Sequence, residues 1–107
     1  RLPAEIFGGT GRCVLKNKAK VINICKDDVT DSYLSGAYKS LLIGLQTGCK
    51  KAILKARSPA CGIGTVYDGS FSKNLIAGDG VLSALLKSYG FTVINEEMLA
   101  LSDYSLY

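Results

Sequence analysis

The chain has 107 residues, of which 48% are hydrophobic and 21% are charged, and its formal net charge is +4. This length and composition predict one globular domain with its own core, and they exclude a disordered chain. The charge is mild and forms no run of like charges, so it does not require a nucleic-acid partner.

Membrane and disulfide-rich classes are not indicated either. No apolar run approaches the ~18 residues of a membrane span, and no secretory leader is visible. The four cysteines form no CxxC pair, which favours reduced thiols over disulfides or a zinc module. The chain has no histidine, so it contains neither a Cys–His nor a Ser–His catalytic pair. We therefore expect a cytoplasmic protein with no membrane partner.

The first half of the chain predicts a strand followed by a helix. Residues 1–11 are expected to form a loop that ends in a glycine cluster, and Lys20–Lys26, rich in β-branched residues, predicts a strand. The oxygens of Asp28 and Thr30 are typical of a helix start, and the helix is expected to run to about Thr47. Its apolar residues recur at three- and four-residue spacing and form one apolar stripe: Leu34, Ala37, Tyr38, Leu41, Leu42 and Leu45.

The second half predicts two more strands and two more helices. Lys50–Lys55 contains a continuous apolar run that favours a central strand, and the strand–helix–strand order favours a parallel crossover. Asp79 is the expected cap of a helix that ends at Gly90. Phe91–Ile94 predicts a strand, and Glu96–Leu101 a short final helix.

These elements predict the fold class. We expect a compact, three-layer α/β domain over residues 1–107, in which a small, mainly parallel sheet of about three strands is flanked by helices. Three strands make a small sheet, so a further edge strand is expected before Arg1.

The most informative stretch follows the second predicted strand, where the apolar run ends in Ser-Pro-Ala-Cys-Gly, residues 58–62. Proline fixes φ, while Gly62 and Gly64 permit turns that residues with a Cβ resist. Ligands of open α/β sheets bind outside the carboxyl ends of the strands, so Ser58 and Cys61 are candidate site residues. Taken alone, the same residues are more often a tight turn around a buried thiol.

Several stretches together resemble the family known as domain of unknown function 523, which includes the bacterial thiouracil desulfidases. The resemblance covers essentially the whole chain in the family's order. It implies an enzyme that removes sulfur from a thiolated pyrimidine or nucleoside with a 4Fe–4S cluster held by three cysteines. The matching stretches are RLPAEI (1–6), DVT (28–30), AILKARSPACGIGTVYDGSF (52–71), GDGV (78–81) and ALL (84–86).

The resemblance also implies roles for individual residues. Cys61 matches a cysteine ligand of the family's cluster, Gly62 stands beside it as a cofactor-binding residue, and Ser58 matches a serine near the open iron. The other two ligands of the family lie upstream, in CLLG-type and CPE-type segments that this chain does not contain. The resemblance thus implies a truncated chain, the C-terminal two-thirds of the family's domain, which alone binds no cluster and is inactive. Flanking residues that could shape the pocket are Lys55, Arg57, Tyr67 and Asp68.

Two functions remain open from the sequence. In the first, the complete protein is a cluster-dependent desulfidase whose partner is a small thiolated base or nucleoside. In the second, the chain is a non-catalytic module that binds a nucleobase or another small anion in the same crevice. Direct nucleic-acid binding is not favoured, because no basic stripe with interleaved aromatic residues is present.

Overall fold

The structure is a computed structural model that describes residues 2–99. A further helical turn follows at residues 96–99, and the rest of the predicted helix Glu96–Leu101 lies outside the described residues. No helix in the described part of the chain is long and apolar enough to cross a bilayer. The elements follow one another as β1 (Ala4–Phe7), α1 (Gly11–Leu15), β2 (Lys20–Asn23), α2 (Thr30–Gln46), β3 (Lys51–Leu54), β4 (Thr65–Tyr67), β5 (Leu75–Ala77), α3 (Val81–Ser88) and β6 (Thr92–Asn95).

The strands form three two-stranded sheets. The pair β3–β6 is parallel, while β1–β2 and β4–β5 are antiparallel. The predicted α/β class with a parallel sheet is therefore confirmed. The predicted sheet of three parallel strands is not formed, because β2 pairs with β1 and thereby buries Ile6 opposite Val21. The expectation of a loop over residues 1–11 is corrected by β1 and the start of α1.

Helix α2 has the bounds that the sequence predicts. The backbone N–H and the hydroxyl of Thr30 both donate to the Asp28 carboxylate, at 3.0 and 2.6 Å. Both bonds lower the pKa of Asp28, and the bond from the hydroxyl has the larger effect. The helix ends before Gly48, whose φ of +71° is one that glycine adopts without strain.

The stripe predicted on α2 is only partly buried. Ala37 and Leu41 lie in the core, and α2 packs against α3 and contacts β2. In contrast, Tyr38, Leu42 and Leu45 are 48%, 55% and 51% exposed. Within the described residues, α2 contacts mainly α3 and β2, and these leave this part of its apolar side open to solvent.

The sequence predicts a central position for strand β3, and the structure corrects this. In the described residues β3 has one strand neighbour, β6. Ala52 and Leu54 pack against the core, whereas Ile53, on the opposite face, is 58% exposed. The apolar run Ala52–Leu54 predicts burial on both faces, and within residues 2–99 the face that carries Ile53 is open.

Candidate functional site

Residues 58–64, which we name the Cys61 loop, follow β3 and form a tight turn. The N–H of Cys61 donates to the Ser58 hydroxyl oxygen at 2.8 Å, and the N–H of Gly62 donates to the Ser58 carbonyl at 2.9 Å. Ser58 therefore closes the turn with both its side chain and its backbone. The structure thus brings together the two candidate residues of the sequence.

The two glycines of the Cys61 loop serve different purposes. Gly62 is buried, and a Cβ there would lie 2.8 Å from the carbonyl oxygen of Thr65 and from Val66 Cγ1. Gly64 has open space around it but adopts a φ of +78°. The predicted need for glycine therefore has two causes. At Gly62 there is no space for a side chain, and at Gly64 the backbone conformation is one that glycine adopts without strain.

The Cys61 loop caps helix α3. The first N–H groups of a helix have no partners within it and must find them elsewhere. Here they donate to carbonyl groups of the loop, so the loop and the start of α3 form one hydrogen-bonded unit. The bonds run from Gly80 to Gly62, from Val81 to Pro59 and from Leu82 to Ala60, each at 2.8 Å.

Asp79, the predicted cap of this helix, has another partner. The N-cap is Gly80, and no side chain caps α3. The Asp79 carboxylate instead accepts the N–H of Gly64 at 2.8 Å and the Lys87 ammonium at 2.9 Å. Backbone carbonyls already occupy the N–H groups that Asp79 would have capped, which leaves its carboxylate to hold the end of the Cys61 loop.

Ser83 is a part of the site that sequence reasoning missed. Its side chain is fully buried in α3, and its hydroxyl donates to the Cys61 carbonyl at 2.8 Å. A buried hydroxyl needs a hydrogen-bond partner. The available signal was a serine within the apolar run of α3, between Leu82 and Leu85.

We expect Ser83→Ala to lower the free energy of unfolding by about 1–2 kcal/mol, because it leaves the Cys61 carbonyl without this partner. The matched control is Ser88→Ala, since Ser88 makes the same kind of bond, to the Leu85 carbonyl at 2.6 Å, but lies at the surface. That variant is expected to change the free energy by less than about 0.5 kcal/mol. Urea unfolding measures both, and equal losses would contradict the role of Ser83.

A groove of about 630 Å³ lies along the Cys61 loop, with Ser58 and Cys61 on its wall. This volume suits a small-molecule ligand. The lining combines aromatic rings, a thiol, a hydroxyl and charged groups, which suits a flat, polar heterocycle. The other lining residues are Leu2, Pro3, Ala4, Glu5, Tyr33, Lys55, Ala56, Arg57, Pro59, Ala60 and Tyr67.

The charged groups that line the groove differ in how far they are free to bind a ligand. The Arg57 guanidinium pairs with Glu97, which raises the pKa of Arg57. The Glu5 carboxylate accepts the N–H groups of Gly69 and Phe71, at 3.0 and 3.1 Å, and so holds that turn in place. Lys55 makes no ion pair within residues 2–99 and is the cation most available to a ligand.

Asp68, the fourth residue expected to shape the pocket, does not line the groove. Its carboxylate binds the hydroxyl and the N–H of Ser70, at 2.6 and 2.9 Å, and these bonds lower the pKa of Asp68. The structure therefore brings Lys55, Arg57 and Tyr67 to the groove and assigns Asp68 to a turn.

Of the four cysteines, Cys61 lines the groove. Cys25 and Cys49 are exposed, and Cys13 lies in α1. Within residues 2–99, no three Cys, Asp or Glu side chains are grouped so that they could hold a metal ion. The described residues therefore bring one thiol to the candidate site.

Cys13 has a distinct environment away from the groove. Hydrogen bonds to Thr10 lower the pKa of its thiol, and the bond with the Thr10 backbone has a larger effect than the bond with its hydroxyl. We expect Thr10→Val, which removes the hydroxyl bond, to shift the pH profile of Cys13 alkylation to higher pH. Mass spectrometry after timed iodoacetamide treatment gives the rate, with Cys25 in the same sample as internal control. An unmoved Cys13 profile would contradict this account.

The chain is similar to a known protein family, to a curated sequence and to a solved structure. The sequence matches the 2-thiouracil desulfurase family over residues 1–98. The uncharacterized protein YbbK of Bacillus subtilis is 46% identical over 99 residues, which make up 92% of this chain and 66% of YbbK. The solved structure of TudS, a [4Fe-4S]-dependent thiouracil desulfidase, matches with a TM-score of 0.79 at 34% identity, over 99% of this chain and 64% of the TudS chain. The chain thus spans slightly less than two thirds of the length of each relative.

Proposed function

The chain belongs to the 2-thiouracil desulfurase family, and from this we propose that the protein containing it removes sulfur from a thiolated pyrimidine base or nucleoside with the help of a 4Fe–4S cluster. The likeness to TudS, a [4Fe-4S]-dependent thiouracil desulfidase, supports both the reaction and the cofactor. The observation that carries the proposal is the groove in which Ser58 and Cys61 stand together. Family membership does not favour the alternative of a non-catalytic binding module.

Cys61 is the proposed cluster ligand, with Gly62 beside it. Thiolates are the usual ligands of such clusters. The backbone of Cys61 is fixed on both sides, because its N–H binds Ser58 and its carbonyl binds Ser83. The thiol therefore stands on a rigid part of the groove wall.

The described residues do not form a complete donor set for a 4Fe–4S cluster. They bring one thiolate to the groove, whereas the resemblance to the family implies three cysteine ligands. We propose that the others come from the part of the family's length that this chain does not span. When bound, such a cluster supplies a Lewis-acidic iron with affinity for soft sulfur.

Ser58 is the proposed catalytic residue. Its oxygen accepts the N–H of Cys61, so its own hydrogen can be donated into the groove. There it would hydrogen-bond the base or orient a water molecule next to the carbon that carries the sulfur. The rings of Tyr33 and Tyr67 would pack against the flat base, and the Lys55 ammonium would meet its electronegative edge.

The test uses the complete reading frame that contains this chain, expressed and purified without oxygen. The proposal expects about four iron atoms and four sulfides per chain, together with release of uracil and hydrosulfide from 2-thiouracil. Absence of iron and of turnover in that protein would overturn the proposed function. A cluster without turnover would retain the cofactor but overturn the substrate class.

A further inference from the structure

A second groove, of about 620 Å³, is lined by residues of α1 and α3, two helices that pack against each other. We name it the α1–α3 groove. It shares no lining residue with the groove along the Cys61 loop. Its volume lies within the range of small-molecule sites in proteins. The α1–α3 groove is therefore a candidate binding site separate from the one that contains Ser58 and Cys61.

Positive charge is concentrated in the α1–α3 groove. Three exposed cations line it, Arg12, Lys16 and Lys87. Asp79 is the one carboxylate among the described residues that line it, and its oxygens are already engaged by the Lys87 ammonium at 2.9 Å and by the N–H of Gly64 at 2.8 Å. Arg12 and Lys16 form no ion pair within residues 2–99, so two positive charges in the groove are not compensated.

The two uncompensated charges lie next to each other. The N–H of Lys16 donates to the Arg12 carbonyl at 3.2 Å, so the two residues are one helical turn apart. Like charges at this spacing repel each other and destabilise a helix. An anion bound between Arg12 and Lys16 would remove this repulsion, because it attracts both.

The backbone that carries these charges is held in place. The N–H of Gly11, the first residue of α1, donates to the Asp79 carbonyl at 2.7 Å. A Cβ at Gly11 would lie 2.2 Å from the carbonyl group of Gly80, so α1 lies directly against the start of α3. A ligand that binds between two such helices does not have to order them first, and this lowers the cost of binding.

The charge and the remaining surface of the groove indicate the chemistry of its ligand. A phosphate monoester carries about −1.5 to −2 charges at pH 7, which matches the two uncompensated cations. A guanidinium such as that of Arg12 can donate two N–H groups to one phosphate, while an ammonium acts as a point charge. Leu15 and Ala84, which are half-buried, also line the groove and offer apolar surface to the organic part of the ligand.

We propose that the α1–α3 groove binds a small organic phosphate monoester. Arg12 and Lys16 bind the phosphate group, and the organic part of the ligand packs against Leu15 and Ala84. The proposal rests on the groove and its charges, and it is independent of the proposed desulfidation.

The experiment titrates chain 1–107 with adenosine monophosphate in a calorimeter, without cluster or thiouracil. We expect one saturable site, and at least tenfold weaker binding of adenosine, which lacks the phosphate. The double variant Arg12→Gln/Lys16→Gln is expected to weaken binding of the monophosphate at least tenfold. The matched control, Lys18→Gln/Lys39→Gln, removes the same charge at exposed positions that line neither groove, and it is expected to change affinity less than twofold.

A titration of the unsubstituted chain followed by NMR locates the ligand without any variant. We expect the largest amide shifts at residues 10–16 and 84–88. Shifts confined to residues 55–61, with binding that Lys55→Gln weakens and Arg12→Gln/Lys16→Gln does not, would place the ligand in the groove along the Cys61 loop and overturn the proposal. Absence of binding, or adenosine bound as tightly as its monophosphate, would also overturn it.

Discussion

Gly80→Ala is expected to lower the free energy of unfolding by about 3 kcal/mol, at the upper end of the range for overpacking. A Cβ at this position would lie 2.6 Å from the carbonyl carbon and oxygen of Ala60. Both are backbone atoms and cannot rotate away, so the Cys61 loop would have to move off the start of α3. The φ of Gly80 is −71°, so the expected cost is one of space and not of backbone conformation.

Gly36→Ala is the matched control for this prediction. Gly36 lies inside α2, and apart from the adjoining backbone of its own helix a Cβ added there would meet no atom of the described residues within 4 Å. Alanine is the better helix former, so this variant is expected to gain about 0.5–1 kcal/mol. Urea unfolding at one pH measures both variants. A Gly80→Ala protein as stable as the wild type would show that the loop is not pressed against the helix.

Cys61→Ala is expected to have the largest effect on function. In the complete protein, purified without oxygen, it should lower cluster affinity more than about 100-fold, since loss of an outer-shell partner alone costs roughly 10–100-fold. Desulfidation of 2-thiouracil should fall with the iron content. The fold should persist, because the hydrogen bonds that hold the Cys61 loop use its backbone groups.

The control for Cys61→Ala is Cys49→Ala. Cys49 is exposed and donates to the Lys51 carbonyl at 3.1 Å, outside the groove. This variant is expected to keep its iron, its sulfide and its activity. If Cys61→Ala retained a stoichiometric cluster while Cys49→Ala lost it, the assigned ligand would be wrong.

Features with local signals could be predicted from the sequence. Helix α2 is predictable because its periodicity, the Asp28 oxygen and Gly48 all lie within or next to it. The Cys61 loop is predictable because Pro59, Gly62 and Gly64 lie close together in the chain. In such cases the residues that determine the structure are neighbours in the chain.

Features that depend on distant contacts could not be predicted. Ser83 binds a carbonyl 22 residues earlier, and Glu5 holds a turn more than 60 residues later. The prediction for Asp79 was wrong for the same reason, since loop carbonyls from another part of the chain already occupy the N–H groups of α3. The pattern of KAIL indicates burial but not which segment provides it, so the edge position of β3 could not be inferred.

The capping of α3 by loop carbonyls has a consequence for protein engineering. The pentapeptide Ser-Pro-Ala-Cys-Gly is not a portable motif, because its carbonyl groups need the N–H groups of Gly80, Val81 and Leu82 as partners. Transplanted alone into another scaffold, it would lack the partners that hold its shape. A graft that keeps the environment of the thiol must carry residues 58–64 together with residues 78–83. The two segments would be joined by a linker whose sequence can be chosen freely.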